Sequence, residues 1–252
     1  MTKFIVLSTQ RSGSTWVVDM LSSHPRVVAY SELLMHGGQG RPKWGGDERL
    51  VYWPTFLEQN GSPRSRLTRA YLLWRYLGRV YAPQPGVDAA GFKLMYSQLR
   101  VSRPLLPFLV LKRVRVIHLI RRNVLDIVLS KEAGRARQGV LHARSGQSIE
   151  TVRVHLRTDD LLERMAEHER EVVSARARFR RIGLPYEEAV YEELVSDQEG
   201  GFSSLFRFLD VEAQPVSSSL QKVNPTAHEE LIENYGEVRD ALEGTRFAPQ
   251  LR

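Results

Sequence analysis

The sequence predicts an α/β fold, a single domain in which helices flank a central, mostly parallel sheet. Short runs rich in β-branched and aliphatic residues alternate with segments whose apolar residues recur at helical spacing. This alternation is typical of βαβ units, whose connecting helices cover a parallel sheet on both faces. The chain has 252 residues, of which 42% are hydrophobic, so one domain over residues 1–252 is expected.

The first predicted unit is strand, loop, helix and strand. It begins with the apolar run FIVLS at 4–8, passes through the polar loop TQRSG at 9–13 and continues into a helical pattern at 14–23. Pro25 ends that helix, because proline disfavours helical backbone in the residue before it. The run RVVAY at 26–30 is the next strand, and we expect it to form a short parallel pair with the first.

The later elements continue the same alternation. They are helices at 66–81, 121–134, 161–183, 202–211 and 227–244, and strands at 89–96, 114–120 and 186–194. In the helix at 66–81, the stripe predicted to face the core comprises Leu67, Ala70, Leu73, Trp74 and Leu77. The segments 36–63 and 131–158 lack sustained periodicity and are predicted to be substrate or lid loops.

Composition restricts the classes of partner and site. The chain carries 36 Lys and Arg against 29 Asp and Glu, a net charge of +7 that suits an acidic nucleotide, nucleic acid or an anionic membrane surface. It has no cysteine, which excludes disulfides, a thiolate nucleophile and a Cys-ligated zinc. No stretch has the length of a membrane span or a secretory signal, so we expect no membrane span and a cytoplasmic location.

The loop TQRSGSTW is the most informative segment for function. The amides of residues 12–15 belong to a helix start, where backbone N–H groups favour an anion. Gly13 permits close approach of the backbone, and Arg11 adds a fixed positive charge. Hydroxyls of Ser14 and Thr15 stand at the same place. The segment therefore predicts a phosphate or sulfate cradle, the alternative being an ordinary turn with an N-capping serine.

Two common nucleotide motifs are absent from the sequence. The first loop lacks the initial glycine and the lysine of an ATP-binding GxxxxGK[ST] loop, which disfavours a kinase of that type. Neither strand-to-helix junction carries a GxGxxG fingerprint, which counts against NAD or FAD.

TQRSGSTW resembles the 5′-phosphosulfate loop of sulfotransferases that use 3′-phosphoadenosine 5′-phosphosulfate (PAPS). The arginine form is similar to that of carbohydrate sulfotransferases and of the bacterial Stf0 and NodH-type branch. The resemblance implies a P-loop-like sulfotransferase fold and PAPS as the donor. It assigns the binding of the phosphosulfate to Arg11, Ser12, Gly13, Ser14, Thr15 and Trp16.

A second segment, VIHLIRRNVLDIVLS at 116–130, resembles the 3′-phosphate motif of the same family. Arg122 and Ser130 occupy the binding positions, and Asn123-Val124 stands where the common pattern has Asp-Pro. An arginine at a strand exit can bind a phosphate through two hydrogen bonds, and Ser130 can reach it if the phosphate lies along the helix. The alternative is a solvated Arg122 and a Ser130 bonded within its helix. Arg121 alternates with Arg122 along the strand and is expected to point the other way.

Glu32 is the candidate general base. It follows the second predicted strand, and the carboxyl ends of parallel strands border the ligand crevice. The resemblance implies the same role, whereas a helix-start glutamate is the alternative. His36 is the nearest competitor for this role and is also a candidate substrate-binding residue. Other histidines at positions 24, 118 and 142 are weaker candidates, and His118, inside a strand, is expected to be a core residue.

Two lysines complete the predicted site. Lys93 is expected either to bind substrate or to cap a strand end, and Lys222 either to reach the nucleotide or to lie in a surface loop. No metal-ligand spacing such as HExxH occurs, so no metal is expected.

The resemblance implies in-line transfer of a sulfuryl group to a hydroxyl of a carbohydrate, a glycolipid or another small metabolite, with Arg11 and Glu32 as catalytic residues. The alternatives are a nucleotide-dependent kinase and a basic nucleic-acid-binding module. The sequence has no signature of the common nucleic-acid-binding folds, so nucleic acid is not expected as a partner.

Overall fold

The computed structural model describes residues 1–38, 50–61, 63, 65–101, 104–136, 143–144, 152–218, 220–221 and 227–251. The strands are β1 (Thr2–Ser8), β2 (Val27–Tyr30), β3 (Ala89–Met95), β4 (Arg115–Ile120), β5 (Ala143–Arg144), β6 (Tyr186–Val190) and β7 (Leu220–Gln221). The helices are α1 (Ser14–Ser22), α2 (Trp53–Asn60), α3 (Arg66–Val80), α4 (Tyr96–Val101), α5 (Leu105–Leu111), α6 (Val124–Ala136), α7 (Leu161–Arg181), α8 (Tyr191–Ser196), α9 (Gln198–Phe208), α10 (His228–Leu231) and α11 (Tyr235–Leu242), followed by a 3-10 turn (Ala248–Gln250). None of the helices within these ranges is long and apolar enough to cross a membrane.

Within the described ranges, five strands form one parallel sheet in the order β2, β3, β1, β4, β6. The predicted α/β class with a parallel sheet is thereby confirmed. The expected direct pairing of β1 with β2 is wrong, because β3 lies between them and pairs with both. Lys93 on β3 is in register with Val6 on β1, and Phe92 is in register with Tyr30 on β2.

The chain divides into two compact units. The first comprises residues 1–120 and 175–217, and the second comprises residues 121–174 and 218–252. The expectation of one domain over the whole chain therefore stays a prediction.

One core cluster of the first unit lies between α1 and one face of the sheet. Val17 and Leu21 of α1 are fully buried in one cluster with Phe4 and Val6 of β1 and with Phe206 of α9. These apolar residues alternate along the strand and recur one turn apart on the helix, as each period requires. Burying each large side chain contributes about 1.5–3 kcal/mol, so α1 is held firmly where it follows the 9–13 loop.

The second unit has its own core around α6. Leu125, Val128 and Leu129 recur at spacings of three and four residues and pack in one cluster with Met165 of α7 and Phe247. The N-terminal end of α6 is therefore held in place by the buried residues of its own first two turns.

Several predicted elements differ from the structure, and the helix expected at 227–244 is divided into α10 and α11. The strand expected at 186–194 ends at Val190, and Tyr191 begins α8, whose first turn carries two glutamates that favour a helix start. The segment 36–63 contains α2, whose first turn accommodates a proline and whose Trp53 and Phe56 are buried. The segment 131–158 begins inside α6, which continues to Ala136.

The predicted apolar stripe of α3 is also shifted. Leu67 is 83% exposed, whereas the buried residues are Leu72, Leu73, Tyr76, Leu77 and Val80. Trp74 donates a hydrogen bond to the Pro104 carbonyl, 3.0 Å away. The buried face of α3 therefore begins at Leu72, about one turn later than the periodicity predicts.

Candidate active site

The loop between β1 and α1 is a tight turn with two residues in left-handed backbone conformation. Arg11 has φ 66° and Gly13 has φ 87°. The Ser12 hydroxyl donates to the Thr9 carbonyl, 2.8 Å away, and closes the turn. A positive φ costs a non-glycine residue free energy, and such strain tends to persist at functional sites. The loop ends at the first amides of α1, a place that favours an anion.

An aromatic side chain covers Gly13. A Cβ atom at this position would lie 2.3 Å from two ring carbons of Tyr191, which is closer than any real contact. Trp16 meets Tyr191 edge to face at 5.7 Å between ring centres. Only glycine therefore fits this turn. Tyr191 is not among the predicted site residues. It begins the sequence Tyr-Glu-Glu-Leu at 191–194, which lies inside the strand predicted at 186–194 and is helical in the structure.

Two predicted residues, Thr15 and Glu32, contact a third, Lys93, and the three come from different parts of the fold. The Lys93 Nζ lies 3.0 Å from the Thr15 Oγ1 and 3.0 Å from the Glu32 Oε1. The side chains of Lys93 and Glu32 are 9% and 21% exposed. Thr15 lies in the first turn of α1, Lys93 lies on β3, and Glu32 follows β2 by two residues. The cluster therefore links the first turn of α1, directly after the 9–13 loop, to the carboxylate proposed as a base.

Gln98 holds the other oxygen of that carboxylate. Its amide Nε2 donates to the Glu32 Oε2 at 3.1 Å, and its Oε1 accepts from the backbone amide of Met95 at 3.0 Å. Gln98 is 7% exposed and lies on α4, directly after β3. The sequence analysis missed this residue. A polar residue three positions after a fully buried strand is the signal that could have found it, since that edge of a parallel sheet borders ligand crevices.

Two of the four candidate histidines, His36 and His118, lie in different surroundings. His36 is exposed, in a turn four residues after Glu32. His118 is fully buried on β4, as expected, and is hydrogen-bonded to the hydroxyls of Tyr96 and Tyr186. Burial lowers the pKa of His118 to about 4, because the charged imidazolium loses its hydration.

The hydrogen-bond chain continues from His118 to an ion pair. The Tyr186 hydroxyl donates to Glu188, which also accepts from the Nε and Nη2 atoms of Arg176 at 2.6 and 2.8 Å. Hydrogen bonding to Arg176 lowers the pKa of Glu188 to about 2. This network is satisfied within the fold, so His118 is a structural residue.

In the second unit, Arg122 is exposed between the end of β4 and the start of α6, and Ser130 lies on α6, half-buried. The expected alternation of Arg121 and Arg122 along the strand is wrong, because β4 ends at Ile120. The Arg121 Nη2 instead donates to the Asp126 Oδ2 at 2.7 Å.

Asp126 joins Arg121 to a distant part of the chain. Its Oδ1 accepts from the Nε2 of His228, 2.8 Å away on α10. Burial acts to raise the pKa of Asp126, but the hydrogen bonds from His228 and Arg121 outweigh it and lower the pKa to about 2. Lys222 and His142 lie outside the described residues, where the structure adds nothing to their predicted roles.

The described part of the chain contains no group of three or more His, Asp or Glu side chains placed to hold a metal ion. A sequence model of the sulfotransferase family matches residues 4–215. A comparison with curated protein sequences finds no significant match.

Several solved structures are similar to this chain at low identity. A sulfotransferase from Alicyclobacillus acidocaldarius is 14% identical with a TM-score of 0.47, over 99% of this chain and 92% of that one. The sulfotransferase domain of the Synechococcus PCC 7002 olefin synthase is 17% identical with a TM-score of 0.46, over 85% and 74%. A mouse sulfotransferase complexed with PAP is 14% identical with a TM-score of 0.42, over 85% and 61%.

Proposed function

Because this chain belongs to the sulfotransferase family, we propose that it transfers the sulfuryl group of PAPS to a hydroxyl of a small-molecule or carbohydrate acceptor. Membership of the family confirms the enzyme class expected from the sequence, a PAPS-dependent sulfotransferase. The observation that carries the proposal is the contact of Lys93 with both Thr15 and Glu32. It joins a charged base to an anion-binding loop, and group transfer needs both at one place.

The 9–13 loop and the start of α1 are proposed to hold the phosphosulfate. Arg11 supplies positive charge, and the first amides of α1 supply hydrogen-bond donors. The loop conformation that presents these groups is supported by Gly13, because only glycine fits beneath the Tyr191 ring and adopts φ 87° without strain. When bound, PAPS supplies the sulfuryl group: the acceptor oxygen bonds to sulfur, and the bond from sulfur to the 5′-phosphate oxygen breaks.

Glu32 is proposed to take the proton of the acceptor hydroxyl. Lys93 and Gln98 each hold one carboxylate oxygen, so the group is fixed in one orientation while each oxygen keeps a second lone pair for a proton. Lys93 also contacts Thr15, which places its positive charge beside the loop that carries the phosphosulfate. A preorganised charge of this kind stabilises charge that develops during transfer.

Arg122 and Ser130 are proposed to bind the 3′-phosphate. Arg122 is exposed and so accessible to an anion, and Ser130 lies about two turns further along α6. The exposure of Arg122 supports the role, since a guanidinium in this position can offer two parallel donors to a phosphate.

The experiment that tests the function measures the release of PAP (adenosine 3′,5′-bisphosphate) from PAPS. It uses a panel of hydroxylated acceptors, including simple sugars, glycolipids and phenols. We expect PAP release that depends on the acceptor, and a larger thermal stabilisation by PAP than by ATP or NAD. Transfer of phosphate from ATP with Mg²⁺, with no transfer from PAPS, would instead favour the kinase alternative.

A further inference from the structure

The start of α6 is bonded to a segment more than a hundred residues away in sequence. The side-chain Oε1 of Gln250 accepts from the backbone amides of Val124 and Leu125, at 2.7 and 3.1 Å. The backbone carbonyl of Gln250 accepts from the Nδ2 of Asn123 at 2.8 Å. Gln250 thus makes three hydrogen bonds to the residues that directly follow Arg122.

These contacts close the helix start. The first amides of a helix have no acceptor within it. The side chain of Asn123 accepts from the Asp126 amide at 2.9 Å. The side chain of Gln250 accepts from the two preceding amides, those of Val124 and Leu125. Val124 has an amide hydrogen where the common family pattern has proline, and Gln250 is the acceptor that this hydrogen requires.

The segment that presents Gln250 is firmly held. Phe247 is 2% exposed and packs in one cluster with Leu125 and Val128 of α6. The 3-10 turn at Ala248–Gln250 follows directly. Because the anchor and the capping residue both contact α6, the position of Gln250 is set by the same helix that it caps.

Arg122 stands between two fixed neighbours. Arg121 is held by Asp126, which His228 also binds, and Asn123 is held by Gln250. The side chain of Arg122 is exposed and projects from the backbone that these neighbours fix, so a shift of that backbone would move it. A shift of about 1 Å in a binding group is enough to weaken an oriented interaction strongly.

We propose that Gln250 is a positioning residue for Arg122, and that the 247–251 segment thereby sets the selectivity for a 3′-phosphorylated nucleotide. The inference rests on the proposed role of Arg122 in binding the 3′-phosphate. Gln250 does not touch the ligand in this scheme. It acts by holding the turn from which Arg122 projects.

The test replaces Gln250 by methionine, which keeps the length of the side chain and removes its acceptor. Calorimetry gives the dissociation constants of adenosine 3′,5′-bisphosphate and adenosine 5′-phosphate, and their ratio measures the contribution of the 3′-phosphate. We expect that ratio to fall about tenfold in Gln250→Met, the equivalent of one well-made charged hydrogen bond. Binding of adenosine 5′-phosphate should stay within about twofold of wild type.

The matched control is Thr245→Val. Thr245 donates to the Leu242 carbonyl at 2.7 Å and accepts from the Phe247 amide at 3.2 Å, so this variant loses two hydrogen bonds that shape the same segment without touching α6. It should lower the melting temperature in the same range as Gln250→Met and leave the ratio unchanged.

The outcomes separate the inference from the function on which it rests. An unchanged ratio in Gln250→Met, or an equal fall for both variants, would overturn the positioning role while leaving Arg122 as a phosphate ligand. A wild-type ratio close to one would overturn the 3′-phosphate role itself, and the positioning role with it.

Discussion

The ammonium group of Lys93 lies 3.0 Å from the Glu32 carboxylate and 3.0 Å from the Thr15 hydroxyl. Both charged side chains are largely buried, so this ion pair is screened less by solvent than an exposed pair. Its position at the ends of β2 and β3, beside the loop after β1, makes it the centre of the proposed chemistry.

Glu32→Gln should reduce turnover with PAPS by about 10²–10⁴, the usual contribution of a general base, because the amide cannot take a proton. The affinity for PAP should stay close to that of wild type. The comparison is Glu58→Gln, an exposed residue of α2 that should leave turnover unchanged. Turnover of Glu32→Gln within threefold of wild type would move the base role to another group, with His36 next in line.

Lys93→Met should lower turnover and also destabilise the fold, because it leaves the half-buried Glu32 carboxylate without its ionic partner. We expect a loss of about 1–3 kcal/mol in unfolding free energy, measured by urea denaturation. A double-mutant cycle with Glu32→Gln isolates the pair. Strict additivity of the two changes would mean that the ion pair contributes nothing.

Arg122→Ala should remove most of the preference for adenosine 3′,5′-bisphosphate over adenosine 5′-phosphate, about 1.5–3 kcal/mol for a charge-assisted contact. Arg135→Ala is the control, since Arg135 lies on the exposed last turn of the same helix. Calorimetry on both variants decides the matter. A preference that survives in Arg122→Ala would assign the 3′-phosphate to other residues.

Gly13→Ala should destabilise the protein more than Gly183→Ala does. Both glycines have a positive φ, 87° and 66°, but a Cβ at Gly183 meets nothing within 4 Å. Both variants bear the cost of left-handed backbone, about 1–3 kcal/mol, and Gly13→Ala adds the collision with Tyr191. The difference in melting temperature therefore measures the contact, and equal losses would show that Tyr191 moves aside freely.

Stability should decline in mild acid because of His118. Its pKa is about 4 in the folded chain against an ordinary value of 6.5, so below pH 6.5 the unfolded chain binds a proton that the folded chain does not. The unfolding free energy should thus fall by about 1–3 kcal/mol between pH 6.5 and 4.5.

His118→Gln should flatten that slope, whereas exposed His155→Gln should not. Part of the slope should remain, since burial also lowers the pKa of His168 to about 4. Asp126 and Glu188, with pKa values of about 2, should lose their contribution only at lower pH. Urea unfolding at several pH values makes the comparison, and identical slopes for His118→Gln and wild type would contradict it.

Local patterns were sufficient to predict the first strand, loop and helix, because apolar periodicity, a glycine and an arginine all act within a dozen residues. The same holds for the strands at 89–96 and 114–120. The family followed from the same loop, and it is confirmed, whereas the Stf0 and NodH-type branch and the cytoplasmic location stay predictions.

Contacts between distant parts of the chain were beyond that kind of reasoning. Gln98 and Tyr191 act through partners more than sixty residues away, and no local period marks them. The strand at 186–194 was predicted too long for the same reason, because tertiary packing of Leu194 overrides the β propensity of the segment.

The pairing of β2 with β3 also bears on how this enzyme can change. Residues 31–88 connect β2 to β3, and these two strands are hydrogen-bonded to each other, with Tyr30 in register with Phe92. Lengthening a surface segment within that connection costs little, since each doubling of a loop adds only about 0.6 kcal/mol. Insertions and deletions can thus accumulate there while Glu32 and Lys93 keep their registration. The stretch can therefore diverge in length and sequence without rebuilding the proposed reaction centre.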